Sequence, residues 1–249
     1  MRVRRFLALL LASVFLLPCL VRAAEPPYVA LTFDDGPSGR FTRRLLVGLA
    51  EREIPATFFL CGYRLETYGD LAREMAEAGH ELGLHGYSHD SMAAMSPETL
   101  RRELSRTAER LRTCAGVEAT LLRPPGGKVT QDVRRAAGEM GLCVIQWSVD
   151  PKDWATHDRE AVVRRVVDQT RAGDVILLHD MSDSSVDAAL EIADRLTGAG
   201  YRFVTVSRLA SLTGSRLTPG AEYSCFSAPY GPTPAIAFSR KLWYSMVRN

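Results

Sequence analysis

Apolar and polar positions along this chain follow two rhythms that take turns. Seven short runs are rich in apolar and β-branched residues: 28–33, 56–60, 81–84, 120–123, 143–147, 175–179 and 203–206. Runs of this length bounded by polar residues predict buried strands. Between them, apolar positions recur at helical spacing. Phe41, Leu45 and Leu49 mark one stripe, Leu65, Tyr68, Ala72 and Met75 a second, and Leu100, Leu104, Ala108 and Leu111 a third. Ser96 before Pro97 predicts an N-cap and first turn, and Gly79, Gly141 and Gly173 stand where helices should stop. Strands alternating with helices imply an α/β fold of parallel strands with helices packed outside. Seven such units predict a (β/α)7-type distorted barrel over residues 24–213. A tail over 214–249, rich in Pro, Gly, Ser and aromatic residues, falls outside the repeat.

Composition is consistent with that picture. The chain has 249 residues, 46% of them hydrophobic, which is enough for one sizeable core. At 24% charged residues, with no low-complexity tract, it does not read as disordered. Its first residues form a separate segment. Arg2, Arg4 and Arg5 precede an apolar run over 6–20, and Val21-Arg22-Ala23 offers a small-x-small cleavage site. This is the layout of a secretory signal peptide over residues 1–23, which predicts a secreted or cell-envelope protein. The segment carries four arginines and no acid, so its removal takes the formal net charge from +2 to −2. A mildly acidic mature chain has no electrostatic reason to bind nucleic acid. No later segment could span a membrane, so a span exists only if the leader is retained. Cys61, Cys114, Cys143 and Cys225 remain beyond the leader. Their spacing shows no C-x-x-C pair and leaves disulfide pairing open.

The candidate chemistry lies where the predicted strands end. Asp34 and Asp35 follow the first run, and His85 and His89 the third. Arg123 ends the fourth, Asp150 and Asp153 follow the fifth, and His179 ends the sixth. In β/α barrels the C-terminal strand ends share one face, so these residues are expected to meet there. A His-x-x-x-His pair is by itself a weak signal, since surface or capping histidines share that spacing. Beside adjacent carboxylates it suggests a His₂-carboxylate site for Zn²⁺ or a similar divalent ion, with positions left open for water and substrate. Asp34-Asp35 could merely cap a helix. Neighbouring residues leaving a strand point in different directions, however, so one acid can bind metal while the other takes a proton from water.

Five ordered segments resemble the motifs of the polysaccharide deacetylase family, the NodB-homology or carbohydrate esterase family 4 domain. They are Thr32-Phe33-Asp34-Asp35-Gly36, His85-x-x-x-His89, Arg123-Pro124-Pro125-x-Gly127, Asp150-x-x-Asp153-Trp154 and Leu177-Leu178-His179. The resemblance implies Asp34 as catalytic base, Asp35, His85 and His89 as ligands of Zn²⁺ or Co²⁺, and Arg123 as the residue that orients Asp34. It implies His179 as the acid that protonates the leaving amine, kept cationic by Asp153. Trp154 and Leu177 would line the acetyl pocket, and Tyr87 would stand beside it. Two positions depart from the family pattern. Gly86 replaces the usual Ser or Thr after the first histidine, which removes a hydrogen bond that orients the loop. Gly126 replaces a large residue; its N–H can still hold an oxyanion, but one wall of the sugar groove is gone.

The resemblance implies removal of N-acetyl groups from a wall or matrix polysaccharide, with peptidoglycan as first choice. Chitooligosaccharide, exopolysaccharide and O-acetyl xylan are the enzymatic alternatives. A glycan-binding domain without catalysis is the alternative of another class, though it would have no use for Asp34, His179 and Arg123.

Overall fold

A computed structural model describes residues 25–156 and 158–226 of the chain. The expected leader and the last 23 residues, 227–249, lie outside the described residues. Eight strands form one sheet: β1 (Tyr28–Asp34), β2 (Thr57–Leu60), β3 (Glu81–Leu84), β4 (Leu121–Leu122), β5 (Cys143–Ile145), β6 (Val175–His179), β7 (Arg202–Phe203) and β8 (Glu222–Tyr223). Their order is β6-β1-β2-β3-β4-β5-β8, with β7 also on β1, and every pairing is parallel. Helices α1 (Arg40–Glu51), α2 (Gly62–Glu77), α3 (Pro97–Ala115), α4 (Gln131–Glu139), α5 (Arg159–Gln169) and α6 (Asp183–Gly198) connect successive strands, and α7 (Val206–Leu212) follows β7. Val29 through Asp34 are all buried, as expected of a parallel strand covered on both faces. The predicted cap holds: Ser96 Oγ accepts from the Thr99 N–H at 3.2 Å.

Two expectations need correction. The seventh run does not continue to Val206 as a strand. Thr205 Oγ1 accepts from the Arg208 N–H and starts α7 there, so Val206 is apolar because it is buried in a helix. Nor does the domain end at residue 213. β8 pairs with β5, and Phe226, buried beneath it, donates its N–H to Gly173 O at 2.8 Å.

That part of the tail helps to close the barrel. β5 and β6 are not neighbours in the sheet, yet the chain leaving β5 reaches across. The Ser148 and Val149 N–H groups donate to Val175 O at 3.0 and 3.2 Å, and the Leu177 N–H donates to Val149 O at 2.9 Å. The four described cysteines are free. Because the strands run parallel, Asp34, Leu84, Leu122, Ile145 and His179 all end on one rim.

Candidate active site

Asp35, His85 and His89 converge at this rim, with one potential ligand atom from each lying within 4.8 Å of the others. Asp35 leaves β1 with a left-handed φ of 71°, which turns its carboxylate inward. His85 follows β3 and is buried; its Nδ1 lies 2.7 Å from Arg123 O, so Nδ1–H donates and the Nε2 lone pair faces the site. Asp35 Oδ1 is 3.2 Å from His85 Nε2 and 2.9 Å from His89 Nε2. This oxygen is itself buried and accepts no well-formed hydrogen bond. Three lone pairs aimed at one point and an orphaned anionic oxygen fit a divalent cation. Burial alone would raise the Asp35 pKa, but the close approach of His85 and His89 and the positive charge of His85 and His179 overcome it and hold the carboxyl far below its usual range. The bond to Asp35 in turn raises His89.

Asp34 faces the same space from a firmer mount. Arg123 is completely buried and donates to Asp34 Oδ1 at 2.7 Å and Thr32 Oγ1 at 2.8 Å. Its Nε donates to Ile145 O at 3.1 Å and its Nη2 to Gln146 O at 2.8 Å, and its guanidinium lies 4.1 Å from the Phe59 ring centroid. Asp34 Oδ2 stays clear of that clamp, 3.9 Å from His85 Nε2. The β1–β6 register sets Asp34 beside His179. Asp153 holds His179 twice, accepting from Nδ1 at 2.8 Å and from the backbone N–H at 2.9 Å. Burial would lower the His179 pKa, but the hydrogen bond and charge of Asp153, aided by Asp34 and Asp35, raise it to about 9.

A buried carboxylate–guanidinium pair, a His₂-carboxylate cluster and a carboxylate-held imidazole thus share one rim. The sequence profile described as polysaccharide deacetylase matches residues 22–145. A peptidoglycan-N-acetylglucosamine deacetylase of Bacillus cereus is 36% identical over 186 residues, which cover 73% of this chain and 87% of that protein. This chain belongs to the polysaccharide deacetylase family. A peptidoglycan-N-acetylmuramic acid deacetylase of Bacillus subtilis is also 36% identical, over 76% of this chain but only 40% of the relative's own length. Among solved structures, a family 4 acetyl xylan esterase of Clostridium thermocellum, in complex with a cobalt ion, matches with a TM-score of 0.74. It is 31% identical, over 80% of this chain and 98% of that one.

The remaining family positions divide. Gly126 sits in a tight turn closed by the Gly127 N–H on Pro124 O, which leaves its own N–H outside the turn's hydrogen bond. Its φ is 67°, and a Cβ there would meet nothing within 4 Å. Leu177 is buried in β6. Trp154 follows Asp153 and is 62% exposed, with Lys152 Nζ 5.9 Å from its ring centroid. Tyr87, expected beside the pocket, packs there and does not line it. Its hydroxyl donates to Glu66, and the Arg106 guanidinium covers its ring at 3.6 Å, so the side chain packs the α2–α3 seam. Asp150 Oδ1 accepts from the Lys152 N–H at 2.8 Å and so braces the loop around Pro151. His80 is buried, its pKa lowered to about 4 by that burial, and its Nδ1 accepts from the Ala56 N–H.

Sequence reasoning missed several supports. Thr32, already inside the first motif, accepts from Arg123. Trp147 stands against Gly127, where an added Cβ would come within 2.6 Å of its ring. Glu103 binds the loop between the two metal-site histidines. It had a readable signal: it is an acid on the buried face of α3 shared by Leu100, Leu104, Thr107 and Leu111.

Proposed function

We propose that this protein is an exported, metal-dependent carbohydrate de-N-acetylase whose substrate is peptidoglycan. The observation that carries the reading is the division of labour at the rim: Asp34 clamped through one oxygen only, and His179 held by Asp153 beside it. A purely glycan-binding site has no need of a base and an acid so prepared. The basic and apolar N-terminal segment supports export.

Asp34 Oδ2, left free by Arg123, accepts a proton from the attacking water. The water oxygen bonds to the acetyl carbon, and the Gly126 N–H stabilises the negative charge that develops on the carbonyl oxygen. Asp153 occupies His179 Nδ1, so Nε2–H points the transferable proton towards the leaving nitrogen. The C–N bond then breaks, releasing acetate and a free amine. Asp35, His85 and His89 would hold Zn²⁺ or Co²⁺, which supplies Lewis acidity to the water and the acetyl oxygen.

Peptidoglycan is favoured by the open space at Gly126, which accommodates a sugar bearing a bulky lactyl-peptide substituent. The exposed Trp154 offers an apolar surface after Asp153, and Leu177 a buried floor for the acetyl methyl. Two relatives of similar identity are named for peptidoglycan. Acetate release should be measured from peptidoglycan fragments and from chitooligosaccharides, with and without a chelator. Release from peptidoglycan that stops on chelation and returns with Zn²⁺ is expected. Preference for chitooligosaccharide would reject the substrate, and full turnover by metal-stripped protein would reject the metal site.

A further inference from the structure

The segment carrying His85 and His89 is irregular, and two of its residues adopt left-handed backbone. Gly86 has φ 77° and His89 φ 66°. Such a loop does not hold itself in place, and its backbone groups are met by two helices. The first residues of α2 take its carbonyls: the Gly62 N–H donates to Gly86 O at 2.9 Å and the Tyr63 N–H to Tyr87 O at 3.0 Å. Its N–H groups turn the other way, towards α3. There Glu103 Oε2 accepts from the Tyr87 N–H at 2.9 Å, the Ser88 N–H at 2.9 Å and the Ser88 hydroxyl at 3.1 Å.

Glu103 is an unusual residue to find on that face. It is buried and lies between Leu100, Leu104 and Thr107. No basic side chain pairs with it in an ion pair among the described residues. Its partners are three donors from one loop, an arrangement suited to an anion because successive N–H groups form an anion-binding concavity. Charge-assisted bonds of this kind are roughly twice as strong as neutral ones. The identity of residue 86 sharpens the point. A Cβ at Gly86 would lie 3.8 Å from Glu103 Oε2 and only 2.9 Å from Met92 Cε. A hydroxyl-bearing side chain there would crowd Met92, and Gly86 has none to orient the loop, so that task falls to the carboxylate opposite.

We infer that Glu103 is the positioning residue of the metal loop, fixing the Tyr87–Ser88 peptides so that His89 Nε2 stays directed at Asp35 Oδ1 and His85. It is not one of the three candidate ligands. Its effect passes through the backbone to His89, the ligand farther from the core and the more exposed of the two histidines. This inference rests on the metal-site reading.

The test is metal affinity rather than turnover. Zn²⁺ affinity should be measured by competition with a chromophoric chelator for the wild type, Glu103→Ala and His89→Ala, with the Co²⁺ absorption spectrum and thermal unfolding of the metal-free proteins recorded in parallel. Outer-shell partners of metal ligands typically contribute 10–100-fold in affinity, so Glu103→Ala should weaken Zn²⁺ binding by about that factor while still folded at the assay temperature. Its Co²⁺ spectrum should change as His89 loses its orientation. Wild-type affinity and spectrum in a folded Glu103→Ala, with only the unfolding temperature lowered, would overturn the inference and leave Glu103 a packing residue. Should Glu103→Ala fail to fold, Glu103→Asp keeps the charge but withdraws the carboxylate by one methylene. Unchanged affinity there overturns the inference equally. A wild type that binds no metal, with His89→Ala indistinguishable from it, would instead reject the metal site itself and this inference with it.

Discussion

Replacing Asp153 by Asn should convert an enzyme with a high alkaline limit into one that fails near neutrality. Asp153 accepts from both Nδ1 and the backbone N–H of His179. An amide has one oxygen, so either orientation turns its NH₂ towards one of those two donors. The charge is lost as well. Burial, which lowers the His179 pKa, then meets less opposition, and the value should fall from about 9 to 6.5 or below. With the acid required in its protonated form, the active fraction at pH 8 drops from about 0.9 to about 0.03, roughly a 30-fold loss. At pH 6 the same change costs under about twofold. A bound dication would oppose the pull of Asp35 and move both limits downward together, leaving the difference between them. The assay is kcat between pH 6 and 9 for both proteins, with imidazole titration followed by NMR. Any loss of orientation is a constant factor; the protonation effect grows with pH. A wild-type to variant ratio that stays flat from pH 6 to 8 would falsify the role given to Asp153. The raised pKa also contributes about 3 kcal/mol of folding stability, fully present below pH 6.5 and lost as pH rises through 9. Asp153→Asn should lack that dependence in urea unfolding.

Arg123→Met leaves Asp34 buried without its partner and should cost about 3–5 kcal/mol in urea denaturation; a loss under about 1 kcal/mol would contradict the clamp. Asp34→Asn should keep its metal yet lose about 10²–10⁴-fold in kcat, whereas Asp35→Asn should lose metal; the reverse pattern in metal content and rate would mean the two roles are exchanged. Gly126→Ala has space for its methyl group but a left-handed φ, so it should lower stability by about 1–2 kcal/mol on thermal unfolding. Gly126→Tyr should carry the same strain and in addition lower kcat/KM selectively for substrates with a bulky substituent; equal losses on all substrates in both variants would dismiss the open-groove explanation.

The strands that could be read best were those whose two faces are both buried, because burial makes the run continuous. β3 and β6 begin and end where the apolar pattern does, and β1 overruns its pattern by one residue, Asp34, which is itself buried. The candidate-site residues were legible for a related reason: the ends of parallel strands share one rim, so acids and imidazoles directly after apolar runs gather there. The failures lie where apolar character served another element. Val206 is apolar because a helix buries it.

Residue order alone therefore determined the alternation of strands and helices and the rim on which the acids, imidazoles and guanidinium gather. Each is a local property, set by side-chain period or by position at the end of an element. Only the tertiary structure decided that Ser148–Val149 and the tail through Phe226 close the gap between β5 and β6. It alone decided that Arg123 spends its donors on four different partners, and that Glu103 reaches back 15 and 16 residues to hold the His85–His89 loop. Those contacts join segments far apart in the chain. Sequence spacing shows which groups can bond, whereas their partners are fixed only when the barrel brings the segments within hydrogen-bonding distance.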